Sequence, residues 1–409
     1  MAEPLSSNNL DEYPRDRHKG PYGNNLNDTG YSDTTPELSL DLAWELATGG
    51  PWPDPESLTG HDHFMALAIR EGMKGVGLSS PNPPVGCLLV RDNRILGRGV
   101  HTRAGGPHGE IMALRDAQGQ GETLQGSTAY VTLEPCCHHG RTPPCTAALI
   151  QAGVIRVVVG ARDPNPRVDG GGFSVLRAHG VEVVEGCLEA ACTHFHAPFF
   201  KLIRTGLPWV ALKLALGADG ALGPEGQNTQ VTPPEVQLCA HALRRAAEAI
   251  VVGRRTVEVD NPQLTDRWPF PTMPHRLFRR IALDSQGTLS ADRRIWAFIE
   301  GQPALRVTQN ELAPLPGVED LLVPPGPGGC NLRHLLQALA AMGVGRVLFE
   351  GGATLATQLL EQHFVDEFHH FRSVNDMGGR TLPLDTNELP TIRTTQPFPG
   401  GSWSVLTRG

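Results

Sequence analysis

From His61 onward, apolar residues recur in two alternating rhythms, one helical and one strand-like. His61–Glu71 has apolar positions at helical spacing. Val85–Val90 and Ile95–Val100 read as strands joined by a turn at Arg91–Arg94. His108–Ala117 follows as a helix, Thr128–Leu133 as a strand, Thr142–Ala152 as a helix and Val154–Gly160 as a strand. Phe173–His179 and Val181–Val184 add one more helix and strand. Helices interleaved with strands predict a single mixed sheet covered by helices, an α/β domain over residues 59–190.

A second α/β block opens with strand Pro208–Leu216. It continues through helix Pro233–Ala246, strands Ala249–Gly253 and Arg279–Asp284, helix Asn331–Met342, strand Arg346–Glu350 and helix Ala353–Glu361. The loop Val323–Cys330 separates its halves. Residues 191–207 read as a linker and 208–409 as the second domain. Residues 1–58 are rich in Asn, Asp, Pro, Gly and Ser without a sustained apolar period. They read as a disordered extension with one short helix near Leu38–Thr48. No internal repeat is visible.

Composition narrows the class. The 409 residues are 40% hydrophobic and 19% charged, which suits two soluble globular domains. A net charge of −8 argues against nucleic acid as the partner, because phosphate backbones are bound by basic surfaces. The start, MAEPLSSNNLDEYPRD, lacks a basic region followed by an apolar one, and no apolar run approaches a membrane span. The expectation is a cytoplasmic protein with no membrane partner. Eight cysteines are sparse except where Cys136, Cys137 and Cys145 crowd together, a pattern that favours metal over disulfides.

The candidate chemistry sits in Pro107–Glu110 and Glu134–Cys145. A catalytic zinc takes three protein ligands and keeps a fourth position for water. His108, Cys136 and Cys145 supply one nitrogen and two thiolates, one zinc per chain. Both cysteines lie near helix starts, where positive helix ends favour thiolate. Glu110 fits the carboxylate that is not a ligand and shuttles protons. His-x-Glu followed by Pro-Cys and a second Cys is the zinc deaminase signature, in which metal-activated water attacks an amidine-like carbon. Taken alone, each cysteine reads as a small core residue. His138 and His139 are competing ligands, and Cys137, next to a ligand, reads as structural.

Eight residues, CHHGRTPP, separate Cys136 from Cys145, where nucleoside and tRNA deaminases have two. With SSPNPPVGCLLV, GRGVHTRAGGPHGE and ARDPNPRVDGGG, this segment resembles the pyrimidine deaminase domain of the bifunctional riboflavin biosynthesis family (RibD/RibG type) over about residues 61–190. The resemblance implies a cytidine-deaminase-like domain and a small phosphorylated substrate, 2,5-diamino-6-ribosylamino-4(3H)-pyrimidinone 5′-phosphate. It also implies that Asn82 and His101 contact the pyrimidine, and that His138, Arg141, Asp163 and Asn165 hold the ribose phosphate. A guanidinium fork suits phosphate, whereas Asn82 and Asp163 beside proline also read as turn residues. Gly109 stands where the family usually has alanine, and Gly171 where it often has lysine.

The second block resembles the family's reductase domain through PWVALKLALGADG, HALR, AIVVGRRTVEVDNPQLTDR and VLFEGGATLATQLLEQHFVDE. That resemblance implies a dihydrofolate-reductase-like fold, NADPH, and hydride transfer to C1′ of the ring-opened ribosyl group. Lys213, Thr232, Arg244, Asp260, Arg267 and Glu350 would line the substrate site, with Lys213 and Asp260 in acid–base or charge-positioning roles. Thr256, Gly351 and Gly352 would approach the cofactor, with EGG following a strand and opening a helix whose free N–H groups bind phosphate. No GxGxxG follows a strand, so a Rossmann cofactor site is not expected. This half departs from the family at NTQVT, where Gln230 replaces tryptophan, at LGADG and at VNDMGG. The departures keep open a deaminase whose second domain is not catalytic. Two further alternatives, a nucleic-acid deaminase and a structural zinc module, are disfavoured by the acidic charge and by Glu110 respectively. A homo-oligomer is expected.

Overall fold

The computed structural model describes residues 39–137, 144–165, 168, 170–224, 226, 236–267, 278–382 and 391–407. Helix α1 (Leu40–Ala47) is followed by α2 (Gly60–Met73), the hairpin β1 (Gly86–Arg91) and β2 (Arg94–Val100), and α3 (Gly109–Gly119). Next come β3 (Thr128–Leu133), α4 (Cys145–Gln151), β4 (Arg156–Ala161), α5 (Gly171–Ala178) and β5 (Glu182–Val184). The five strands form one sheet in the order β2-β1-β3-β4-β5, antiparallel across β2-β1-β3 and parallel across β3-β4-β5. The hairpin turn uses Asp92 and Asn93, both at positive φ, the mirror-type turn whose twist matches paired strands. Central strands β1, β3 and β4 are buried almost throughout, so their sequences read as continuous apolar runs.

Two helices, α6 (Glu189–Phe195) and α7 (Ala197–Thr205), lead to the second sheet. Its elements are β6 (Trp209–Leu216), α8 (Gln237–Ala246), β7 (Ala249–Gly253), α9 (Arg254–Asp260), β8 (Arg279–Leu283), β9 (Ala304–Thr308) and β10 (Val318–Leu322). After the small hairpin β11 (Pro325–Gly326) and β12 (Gly329–Cys330) come α10 (Leu332–Ala341), β13 (Arg346–Glu350), α11 (Ala353–Glu361), β14 (Glu367–Ser373), β15 (Thr391–Phe398) and β16 (Gly401–Thr407). The order is β10-β9-β8-β7-β13-β6-β14-β16-β15, parallel from β10 to β14 and antiparallel beyond. On one face of this sheet, Val210, Leu212, Phe349 and Phe368 pack with Leu335, Leu339, Ala356 and Leu359 of α10 and α11.

Two expected boundaries are corrected. Residues 39–58, read as part of a disordered extension, hold the short helix expected near Leu38–Thr48 as α1, but it is packed: its Ala43, Trp44, Leu46 and Ala47 are buried, as is Trp52. Ser39 caps the helix by accepting from Leu42 N, and α1 packs on α8. Residues 191–207, read as a linker, are almost wholly helical, with Cys192, Phe195, His196 and Phe200 buried. A single apolar cluster therefore runs from Phe64, Ile69 and Leu88 of the first unit through Trp44, Phe195 and Phe200 to Leu243, Leu348 and Trp403 of the second. Among the described residues, no helix is long and apolar enough to cross a membrane.

Candidate active sites

His108 is the N-cap residue of α3, in an extended conformation. Its backbone leaves the β2–α3 loop as Glu110 enters the first helical turn. Cys136 follows the end of β3 and Cys145 is the first residue of α4. The ligand atoms of His108, Cys136 and Cys145 all lie within 4.8 Å of one another, and they form the one such group among the described residues. His108 Nδ1 is 3.6 Å from Cys136 Sγ and 3.3 Å from Cys145 Sγ. Tetrahedral zinc, with Zn–S of about 2.3 Å and Zn–N of about 2.0–2.1 Å, demands S···N edges of about 3.5–3.6 Å. The donor set and its spacing therefore fit zinc. The hydrogen bond with Cys145, aided by His108, lowers the Cys136 thiol pKa while the same contact raises that of Cys145, so the two share a proton and Cys136 is the favoured thiolate. Cys137 is outside the group, half-buried.

Glu110 is buried, and burial followed by the neighbouring Cys136 raises its carboxyl to about 7. An acid so placed is poised to carry a proton in both directions near neutrality. Asn82 and His101 come together beside the metal ligands. The His101 ring lies edge-on to His108 at 5.2 Å. Its Nδ1 is 2.8 Å from the Pro107 carbonyl, which can only accept, so the proton sits on Nδ1. Nε2 is then the acceptor for Asn82 Nδ2 at 3.2 Å. Burial lowers the His101 pKa, which keeps it neutral. With both nitrogens engaged within the protein, His101 orients Asn82.

Asp163 is buried, and its Oδ1 accepts from Asn165 N at 2.8 Å, an Asx turn that shapes the loop after β4. Glu134, within the Pro-Cys segment but given no role from the sequence, is also buried. It accepts from Gly170 N at 3.1 Å and Gly172 N at 3.0 Å. Gly109 sits close to the neighbouring backbone: a Cβ there would lie 2.3 Å from the Val85 carbonyl oxygen. His138, His139 and Arg141 lie outside the described residues.

The second centre is assembled by strand register. Lys213 is within β6, opposite Glu350 of β13 on one side and His369 of β14 on the other. Its Nζ stands 5.6 Å from the Phe371 ring centre. Arg244 of α8 grips Glu350 with two parallel bonds, Nε to Oε1 at 2.6 Å and Nη2 to Oε2 at 2.8 Å. Burial lowers the Lys213 pKa while Glu350 and Asp260 raise it and Arg244 lowers it, so these four charges share one site. Asp260 is the last residue of α9, and the chain turns at Asn261 with φ 41°. Arg267 joins through its backbone, donating to His241 Nδ1 at 3.3 Å. Thr232 and Gln230 lie outside the described residues.

Gly351 and Gly352 follow β13 and open α11 as expected. Gly351 has φ 155°, and a Cβ there would lie 3.3 Å from Thr256 Oγ1 and 3.7 Å from Gly253 N. A Cβ on Gly352 would meet nothing within 4 Å. The start of α11 thus leaves backbone N–H groups accessible beside Thr256, a cradle that fits a phosphate-bearing cofactor. Asp219, in the LGADG turn, accepts from Gly378 N at 2.8 Å and Met377 N at 3.3 Å. The two segments that depart from the family therefore hold one another. Beneath Lys213, buried Glu367 binds Arg346 Nη2 at 2.5 Å, Trp209 Nε1 at 3.0 Å and His369. Sequence reading missed this network because β14 was not recognised: its FHHF core lacks the apolar alternation that marks a strand.

Comparison with known proteins matches both units of the chain. Residues 58–161 match the cytidine and deoxycytidylate deaminase zinc-binding region, and residues 208–395 match the RibD C-terminal domain. The riboflavin biosynthesis protein RibD of Escherichia coli (strain K12) is 39% identical over 336 residues, 80% of this chain and 90% of that protein. RibD of Aquifex aeolicus is 38% identical, covering 78% and 91%. Among solved structures, a diaminohydroxyphosphoribosylaminopyrimidine deaminase/5-amino-6-(5-phosphoribosylamino)uracil reductase from Thermotoga maritima superposes with TM-score 0.76 at 34% identity, covering 85% of this chain and 99% of that one. Acinetobacter baumannii RibD gives 0.74 at 32%, covering 87% and 100%.

Proposed function

The chain belongs to the RibD family of bifunctional riboflavin biosynthesis deaminase–reductases, and from that premise we propose its substrates and the division of labour among its residues. The first reaction hydrolyses the ring amino group of 2,5-diamino-6-ribosylamino-4(3H)-pyrimidinone 5′-phosphate. The second reduces the ribosyl group of the deaminated product to ribityl with NADPH. The observation that supports this reading is the presence of two constellations in one chain: the His108–Cys136–Cys145 group with Glu110, and Lys213 with Asp260, Arg244 and Glu350.

Zinc, when held by His108, Cys136 and Cys145, supplies the Lewis acidity that activates water toward an amidine-like carbon. Glu110 takes one proton from the water and passes it to the ring nitrogen, then takes the second from the hydroxyl added to the carbon and passes it to the amino group, which leaves as ammonia as the C=O bond forms. Asn82, steered by His101, meets the pyrimidine edge, while His138, Arg141, Asp163 and Asn165 hold the ribose phosphate. In the second site NADPH, when bound along Thr256, Gly351 and Gly352, supplies the hydride for C1′. Lys213 and Asp260 manage the proton and charge of the opening sugar, and Thr232, Arg244, Arg267 and Glu350 position it. The four clustered charges argue against a second domain that is merely structural, since burying them costs stability unless they serve each other and a ligand.

All eight cysteines are free thiols, which suits a reducing cytoplasm. The family resemblance supports a homo-oligomer, which sedimentation of the zinc-loaded protein would read. The decisive experiment incubates zinc-loaded protein with the diaminopyrimidine substrate, with and without NADPH, and identifies products by mass. The deaminated ribosyl compound is expected without NADPH and the ribityl compound with it. Absence of NADPH consumption on the deaminated substrate would leave a deaminase alone.

A further inference from the structure

Glu134 sits two residues before the ligand Cys136, at the end of β3, and is buried. The deamination chemistry assigned above does not use it. Its two oxygens are spent on backbone N–H groups of another segment, Oε2 on Gly170 and Oε1 on Gly172. Those are the N-cap and second residues of α5, whose first-turn N–H groups have no partner within the helix. A carboxylate there also faces the favourable end of the helix dipole. The contact is close on both sides. A Cβ on Gly172 would lie 2.3 Å from the Pro135 carbonyl oxygen, and one on Gly171 would lie 2.8 Å from Cys137 Sγ.

From this anchor, short turns lead back to the loop after β4. Gly171 N donates to Val168 O at 2.6 Å, Val168 N to Asn165 O at 2.8 Å, and Asn165 N to Asp163 Oδ1 at 2.8 Å. Hydrogen bonds linked through the backbone of residues 170–172 therefore join the Asp163–Asn165 turn to the residue that leads into the metal ligands. We propose that Glu134 is a positioning residue that sets the distance between the metal centre and the Asp163–Asn165 loop, and so determines preference for a phosphorylated substrate. The proposal rests on the reading above that this loop holds the ribose phosphate.

The test uses the full zinc-loaded chain and compares kcat/KM for the phosphorylated substrate with that for its dephosphorylated form. Glu134→Gln keeps the shape but replaces one acceptor oxygen with an NH2 that faces an N–H group. It should lower the preference on the order of tenfold, about 1.4 kcal/mol, through KM for the phosphorylated substrate. Zinc content and kcat for the dephosphorylated form should stay unchanged. Gly172→Ala, which pushes on the same contact from the other side, should give the same split. Loss of zinc, or an equal loss on both substrates in both variants, would make Glu134 a structural part of the metal segment and overturn the proposal. Asn165→Ala separates the two ideas. If it collapses the preference while Glu134→Gln does not, the positioning role alone fails. If Asn165→Ala leaves the preference intact, or the wild-type enzyme shows none, the loop does not hold phosphate and both readings fall.

Discussion

The Arg244–Glu350 pair offers a test whose size follows from its geometry. The two side chains are 14% and 12% exposed and bound by two parallel contacts. Taking away one partner strands the other charge where water reaches it poorly, a loss of about 3–5 kcal/mol. Arg244 would keep the Thr265 carbonyl at 3.2 Å, so Glu350→Gln should fall near the lower end, about 3 kcal/mol. For a unit of this size that means a calorimetric Tm lower by about 6–12 °C. Arg244→Met should cost as much. The double variant leaves no stranded charge, so it should recover about 2 kcal/mol relative to the sum.

A second readout comes from Lys213. Burial pushes its pKa down and Glu350 is the strongest group pushing it up. An ammonium that must stay charged loses function as pH rises through its pKa. Glu350→Gln should therefore move the basic limb of NADPH-dependent reduction to lower pH. Adding Arg244→Met should move it part of the way back, because the guanidinium also repels Lys213. Single variants costing under about 1 kcal/mol, strict additivity, or an unmoved basic limb would refute the reasoning.

Glu110→Gln should keep zinc yet lower deamination by at least about 10²-fold, the smaller end of proton-shuttle contributions; normal turnover would exclude Glu110 as the proton carrier. Cys145→Ser should lose zinc and deamination together, read by metal analysis, and full occupancy would exclude Cys145 as a ligand. Burial pushes the Glu367 carboxyl up, but Arg346 and His369 outweigh it and bring it to about 2. The stability this confers is fully present above the unfolded value near 4.5 and is lost as pH falls through about 2. Acid titration of unfolding should show a loss of about 3 kcal/mol that Glu367→Gln abolishes; an identical acid profile in the two proteins would contradict it. Deletion through Leu58 removes the buried Trp44, Leu46 and Trp52, each worth about 1.5–3 kcal/mol, and should lower Tm sharply, whereas deletion ending before Ser39 leaves those contacts intact.

The sequence alone determined the two α/β units and the zinc chemistry. Strands β3, β7 and β13 and helix α11 were readable to the residue because each is bounded by turn residues and carries an unbroken apolar pattern. The metal site was readable because a zinc needs few ligand types, in an order that chance seldom supplies. What only the tertiary structure decided is less local. Trp44 of α1 and Phe195 of α6 lie outside the two units as read from the sequence, and only the packing of these helices shows them closing one core between the two sheets. The pairing of Arg244 with Glu350, 106 residues apart, comes from placing α8 beside β13. The hold of His101 on Asn82 became visible only once the Pro107 carbonyl fixed the proton on Nδ1. Glu134 acquired its partners only when α5 packed against the end of β3. Local pattern reports which face of an element is buried; which charges meet depends on the packing of elements distant in sequence, and no window of sequence contains that.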